Sequence, residues 1–145
     1  MSDHEGFTDE EWEVVREGPS VAGLMVVTAV AGGTFRETCA LARAYADARK
    51  QHGGSALVDE LASKGPPRGR RFHSEDELQQ EGLNLLREAA GLVERRGAEE
   101  AQSYRAFVLS VAERVARAHK EQSEEISPRE QQAIDAIAQS LGASA

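Results

Sequence analysis

A single cysteine, Cys39, rules out an intrachain disulfide and a thiolate metal cluster in this chain. Its neighbours Thr38, Ala40 and Leu41 suit a helix interior, where a lone cysteine behaves as a small hydrophobe. Aromatic residues make up only 5% of the sequence, so its core must be built from Ala, Val, Leu and Ile. Long apolar runs are missing as well. The most apolar stretch, Val21 to Ala31, falls short of the roughly 18 residues that a membrane span needs. The opening "MSDHEGFTDEEWE" is acidic and has no apolar centre, so it does not read as a signal or transit peptide. These absences lead to the expectation of a cytoplasmic protein with no membrane insertion.

Basic charge is also scarce. The formal net charge is −8. Residues 1–17 hold seven acids against Arg16 alone, whereas the remaining 18 acids and 16 bases nearly balance. A phosphate backbone is bound by a basic surface, so no nucleic-acid partner is expected.

The usual catalytic and cofactor signatures are missing too. None of the four histidines follows a glutamate by three residues, which excludes the Glu-x-x-His pairs of di-iron bundles. No phosphate-binding glycine loop, nucleophile elbow or His-Glu-x-x-His zinc helix occurs.

What the chain does contain is a set of legible helix starts. Ser or Thr followed three residues later by Glu can satisfy two unpaired backbone N–H groups reciprocally. The pattern occurs at Thr8–Glu11, Thr34–Glu37, Ser74–Glu77 and Ser127–Glu130, the last with Pro128 at the first helical position. Between these starts, apolar residues recur at helical spacing, and no segment alternates with period two over a convincing length. The expected fold is an all-α, compact bundle of six to seven helices in one domain, residues 1–145.

The expected helices run from about Thr8 to Glu17, burying Trp12 and Val15, and from Pro19 to Ala31, with Gly18-Pro19 as a break. A third spans about Phe35 to His52, with Phe35, Cys39, Ala42 and Ala46 on its apolar stripe. A short helix over 55–63 leads into a Pro/Arg-rich loop at 64–73. Three longer helices follow, at about 75–95, 98–121 and 128–141. Their apolar faces carry Leu78, Leu85, Ala89, Leu92 and Val93, then Tyr104, Val108, Val111, Val115 and Ala118, then Ile134, Ile137, Ala138 and Leu141. Residues 1–7 are expected to be flexible.

Arg68, Arg70 and Arg71 are concentrated in the loop "GPPRGRR", where guanidinium groups can clamp an acidic partner. They are candidate partner-binding residues. His73 with Asp76 or Glu77 is the one arrangement that would suit a small enzyme, and it would need a deep pocket around the loop.

Two stretches carry a resemblance. "ISPREQQAIDAIAQSLG", Ile126 to Gly142, resembles the last helix of the TerB-like family, named for tellurite-resistance proteins. There an Asp-Gly-x-Ile-Ser-x-x-Glu-like motif precedes an amphipathic helix. "AVAGGTFRETCALARA", Ala29 to Ala44, resembles that family's first copy of the unit. The resemblance implies two facing helix–turn–helix units in an all-helical domain, metal binding through the acidic turns and a link to stress responses. Glu37 and Glu130 match the motif's glutamates. Gly32 stands at the first aspartate position and Ser123-Glu124 at the second Asp-Gly, which leaves Glu124 or Glu125 as the substitute. Glu37, Glu124, Glu125 and Glu130 are therefore the candidate ligands for a divalent cation, Ca²⁺ or Mg²⁺. The leading expectation is a non-enzymatic interaction or sensing module of this type, with a protein partner or its own copy as the contact. A divalent-cation-binding protein is the alternative.

Overall fold

The computed structural model describes residues 7–28, 35–50, 56–65, 74–123 and 128–142. Among these residues the fold is all-α, with six helices and no strand: α1 (Asp9–Thr28), α2 (Phe35–Lys50), α3 (Ala56–Lys64), α4 (Glu75–Glu94), α5 (Ala98–Ser123) and α6 (Pro128–Ser140). The long α5 is the axis of the bundle. It packs against α1, α2, α3, α4 and α6, while α6 also packs on α1 and α4.

The start of α1 follows its local sequence closely. Thr8 Oγ1 accepts from the Glu11 amide at 3.1 Å, and Glu11 Oε1 accepts from the Thr8 amide at 3.0 Å, which completes a reciprocal capping box. Phe7 lies one residue before the cap and stacks on Trp12, with ring centroids 6.4 Å apart, as a hydrophobic staple. The Arg95 and Arg96 guanidinium groups each lie 5.7 Å from the Phe7 ring. Arg95 also grips Glu11 with two hydrogen bonds, of 2.8 and 3.3 Å. Phe7 belongs to the stretch expected to be flexible, yet it is buried, because its ring has both an aromatic and two cations to pack against.

The expected break at Gly18-Pro19 does not occur. α1 runs through Pro19 as one helix of 20 residues. Proline has no N–H for the carbonyl four residues earlier, so Val15 is left with an unpaired acceptor inside the bundle. Tyr104 of α5 supplies the missing donor: its hydroxyl donates to the Val15 carbonyl at 2.7 Å. Gly18 makes room for that ring, since a Cβ there would overlap the Tyr104 hydroxyl and come within 3.2 Å of Cζ. An interior proline usually costs about 3 kcal/mol or more in a helix, and a tertiary hydrogen bond offsets part of it.

α2 also departs from expectation. Among its described side chains the buried ones are Ala44 and Tyr45, while Ala42 of the expected stripe is exposed. Alanine recurs at several registers of this helix, so spacing alone leaves its face undecided. The large Tyr45 ring chooses the face by packing edge-on against Phe107, at 5.2 Å between centroids and 77° between planes. The side chains of Phe35 and Cys39 lie outside the described residues.

α4, α5 and α6 follow the expected helices to within two residues at each end. Ser74 caps α4 by accepting from the Glu77 amide at 3.0 Å. The turn into α5 passes through Gly97 at φ +114°, a conformation that side-chain-bearing residues rarely adopt. Leu78, Leu85, Ala89, Val93, Tyr104, Val108, Val111, Val115, Ile134, Ile137 and Leu141 are buried, as their periodicity requires, while Leu92 and Ala138 at the edges of their faces are half-buried and the Ala118 side chain lies outside the described residues. Among the described residues, no helix is long and apolar enough to cross a membrane.

Candidate functional site

The described part of the bundle contains a cleft of about 290 Å³ where α2, α3 and α5 meet. It exists because the residues at this junction are small. α2 presents Ala44 and Ala48, and α5 presents Ser103, Ala106 and Ser110, all on the cleft side. Leucines at these positions would close the gap as core. Phe107 forms the apolar floor, anchored from behind by Tyr45, and Val58 of α3 forms a wall.

α3 has only nine residues, too few to be stable by itself in water. Tertiary contacts hold it at both ends. Leu57 and Leu61 are buried beneath it. Glu100 Oε2 of α5 accepts from the Leu57 amide at 3.0 Å and so satisfies a free N–H at the start of α3. Arg49 Nη1 of α2 donates to the Ala62 carbonyl at 2.8 Å near the other end. The wall that carries Val58 and Asp59 is thus positioned by side chains of the two helices it faces.

The polar lining combines two carboxylates, one guanidinium and two hydroxyls. Arg114 Nη1 meets Asp47 Oδ2 at 2.5 Å, linking α5 to α2 across the cleft. Both side chains of this pair are more than a third exposed, 36% for Arg114 and 40% for Asp47, so its contribution to stability is about 0–1 kcal/mol. Asp59 adds a second carboxylate from α3, and Ser103 and Ser110 place hydroxyls seven residues apart along the same face of α5. Among the described lining residues two carboxylates accompany one guanidinium, with Asp47 paired to Arg114 and Asp59 partnered as well. Phe107, Val58 and the alanines offer apolar surface beside these polar groups.

Behind the cleft lies a buried polar group of a different kind. Burial pushes the Tyr45 phenol up to about 12, opposed by the neighbouring Ser20 hydroxyl and the Arg16 charge. Tyr45 Oη, Ser20 Oγ and Arg16 Nε are all buried with no partner in hydrogen-bonding geometry. Burial also raises the Tyr104 phenol well above its ordinary range, with nearby Tyr45 as the second cause.

Of the four candidate cation ligands, only the Glu130 side chain is among those described. It is buried, at 2% exposure, in the first turn of α6. Glu37 lies in the first turn of α2, but its side chain falls outside the described residues, as do Glu124 and Glu125 entirely. Among the described residues, no group of three or more His, Cys, Asp or Glu side chains is arranged to hold a metal ion. Arg68, Arg70 and Arg71 and the histidine at 73 also lie outside the described residues. Asp76 is exposed and Glu77 half-buried at the start of α4.

The cleft residues were not singled out from the sequence. A signal was present in the run of small and hydroxyl-bearing residues on one face of α5, Ser103, Ala106, Ser110 and then Arg114, beside a valine stripe on another face. Compared with protein-family models, with curated proteins and with solved structures, the chain matches none.

Proposed function

We propose that this protein is a non-enzymatic helical interaction module of the TerB-like type, with a stress-related sensing role, and that it engages a protein partner through the cleft between α2, α3 and α5. The observation that carries the reading is the cleft itself: a cavity of about 290 Å³, kept open by alanines and serines at a helix junction that larger side chains would fill. Its chemistry favours binding over catalysis. Among the described residues the cleft lining includes no histidine or cysteine, so no imidazole described there stands beside its serines to activate them as nucleophiles.

A panel of short peptides, each presenting one class of side chain, tests this reading by nuclear magnetic resonance. The expected result is that at least one class shifts the backbone amides of Ala48, Asp59 and Ser110. The same class should leave an Ala106→Trp variant unshifted, because the indole occupies the cleft from an exposed position. If no class moves those amides in the folded protein, the cleft is not a binding site and the reading fails.

The burial of Glu130 favours a second reading, divalent-cation binding with Glu37, Glu124 and Glu125 as further ligands. A carboxylate at the first turn of a helix serves equally well as a cap, and Glu130 is not an orphaned group. Calorimetric titration with Ca²⁺ and Mg²⁺ distinguishes the two roles. Saturable binding that is lost in a Glu37→Gln/Glu130→Gln variant still helical by circular dichroism supports the cation site. The absence of heat at millimolar metal leaves these residues as caps.

A further inference from the structure

We infer that α2 and α3 open from α5 as one unit while α1, α4, α5 and α6 stay folded. This opening does not depend on what the cleft binds. Each of α1, α4, α5 and α6 packs on the other three, so these four helices form a closed body. α2 and α3 pack on each other and on α5, and α2 has a smaller seam with α1. Among the described residues, neither makes more than a marginal contact with α4 or α6. Releasing the pair therefore breaks contacts along α5 and at one seam, and leaves the contacts within the body in place. A contiguous stretch attached in this way is the kind of unit that opens below the free energy of global unfolding.

The seam with α1 adds to the difference. Tyr45 Oη of α2 and, one turn apart on α1, Arg16 Nε and Ser20 Oγ are buried without a hydrogen-bond partner. The Ser20 hydroxyl and the Arg16 charge both act on the Tyr45 phenol, which places the three groups together. Closing the pair takes them out of water and returns no bond, and opening restores their hydration. The body has no such defect at its own tyrosine, since the Tyr104 hydroxyl donates to the Val15 carbonyl at 2.7 Å. The cleft of about 290 Å³ leaves the junction of α2, α3 and α5 with fewer atoms in contact. The partly exposed Asp47–Arg114 pair ties α2 to α5 only weakly.

Other bonds make the two helices leave together. Arg49 Nη1 of α2 donates to the Ala62 carbonyl of α3 at 2.8 Å, so α3 is fastened to α2. At nine residues α3 is too short to persist away from α5, and at 16 residues α2 is marginal by itself. Their hold on α5 consists of the Glu100 carboxylate at the Leu57 amide, 3.0 Å away, the Tyr45 ring set edge-on against Phe107, and Leu57 and Leu61. Tyr45, Leu57, Leu61 and Phe107 are all buried in the closed bundle, so opening uncovers an apolar surface that is otherwise hidden.

Native-state hydrogen exchange of the full chain tests this, read amide by amide at a series of low urea concentrations where exchange follows the opening equilibrium. The expected result is that Tyr45 and Ala48 of α2 and Leu61 and Ala62 of α3 share one protection factor and one urea slope. That protection should lie at least about tenfold below that of Leu86 and Ala89 in α4 and Ile137 in α6. The slope should be smaller too, because less surface is exposed than in global unfolding. An Ile137→Val variant gives the second reading. Ile137 is buried in α6, away from the pair, so it stays packed whether the pair is open or closed. The lost methylene should lower protection of the α4 and α6 amides by about two- to tenfold and leave that of α2 and α3 unchanged.

Equal protection and equal slopes throughout would make the chain one cooperative unit and overturn the separate opening. So would a drop in α2 and α3 that matches the drop in α4 when Ile137 is shortened. Exchange in α2 and α3 with no dependence on urea would be fraying, and a slope for α3 well below that of α2 would mean that α3 opens alone. Either result overturns the paired unit.

Discussion

Two buried tyrosines, Tyr104 of α5 and Tyr45 of α2, show how differently neighbouring parts of this bundle are built. Tyr104, on the side of α1 and α4, is fully buried, and its hydroxyl donates to the one carbonyl that Pro19 leaves unpaired. Tyr45, on the side of α2 and α3, is 1% exposed, and its hydroxyl has no partner in hydrogen-bonding geometry. On the side of α1 and α4, Tyr104 answers both the missing donor at Pro19 and the space left at Gly18. The side of α2 and α3 is kept loose by small residues and opens into the cleft. Residues of similar size and burial thus do opposite work. Tyr104 closes a gap in hydrogen bonding, and Tyr45 backs the floor of the cleft.

The largest expected effect lies on the satisfied side. Trp12→Ala removes the centre of the α1 anchor and should lower the stability to unfolding by about 3–5 kcal/mol in a urea titration. Gly18→Ala should cost about 1–3 kcal/mol, because the added methyl collides with the Tyr104 hydroxyl. Combined with Tyr104→Phe, the penalty should be smaller than the sum of the two single changes, because the phenylalanine ring leaves room for the methyl. Additive costs in that cycle would separate Gly18 from Tyr104.

The paired tyrosine-to-phenylalanine changes sharpen the contrast. Tyr104→Phe orphans the Val15 carbonyl and should cost about 1–3 kcal/mol. Tyr45→Phe removes a hydroxyl that has no partner and should leave stability within about 1 kcal/mol of the parent, in either direction. Equal losses would mean that the two sides are not built differently.

Titration separates them further. Burial raises the Tyr45 phenol from 10.0 to about 12 in the folded chain. The stabilisation of its neutral form is fully present below pH 10 and is lost as pH rises towards 12. Thermal unfolding midpoints should therefore fall over that interval, and less steeply in Tyr45→Phe. Glu11 behaves in the opposite sense. Its hydrogen bonds, first to Arg95 and then to the Thr8 backbone, hold its carboxyl below the ordinary 4.5, so its contribution is present above that pH and fades as pH falls through the lowered value. This exposed group should give the smallest effect of the series. The Glu11→Gln chain should show a slightly shallower loss of stability in acid, read from the same melting curves.

Much of the fold was legible because its signals are local. A capping box needs only residues three apart, so Thr8–Glu11 and the Ser74 cap could be read directly from the chain. The valine ladder of α5 and the isoleucines of α6 carry their burial in their spacing. The junction at Gly18-Pro19 misled for an equally physical reason. Proline and glycine end a helix unless something distant replaces the missing hydrogen bond, and Tyr104 lies 89 positions further along the chain. The cleft was hidden for a related reason. Alanine and serine read as weak core or neutral surface, and only the meeting of three helices shows that their smallness leaves a space. Asp47 and Arg114 carry no sign in sequence that they face one another.

The sequence by itself determined an all-α chain, the places where most of its helices begin, the aliphatic make-up of the core and the acidic balance of its charge. Each of these depends on residue type and on spacings of three or four residues. The tertiary structure decided whether α1 continues through its proline, which face of α2 turns inward, and how a nine-residue α3 is held by Glu100 and Arg49. It also decided that small residues from three helices would enclose a polar cleft. Those outcomes depend on groups brought together across the chain, where a hydrogen bond or a missing side chain acts only once the helices have packed.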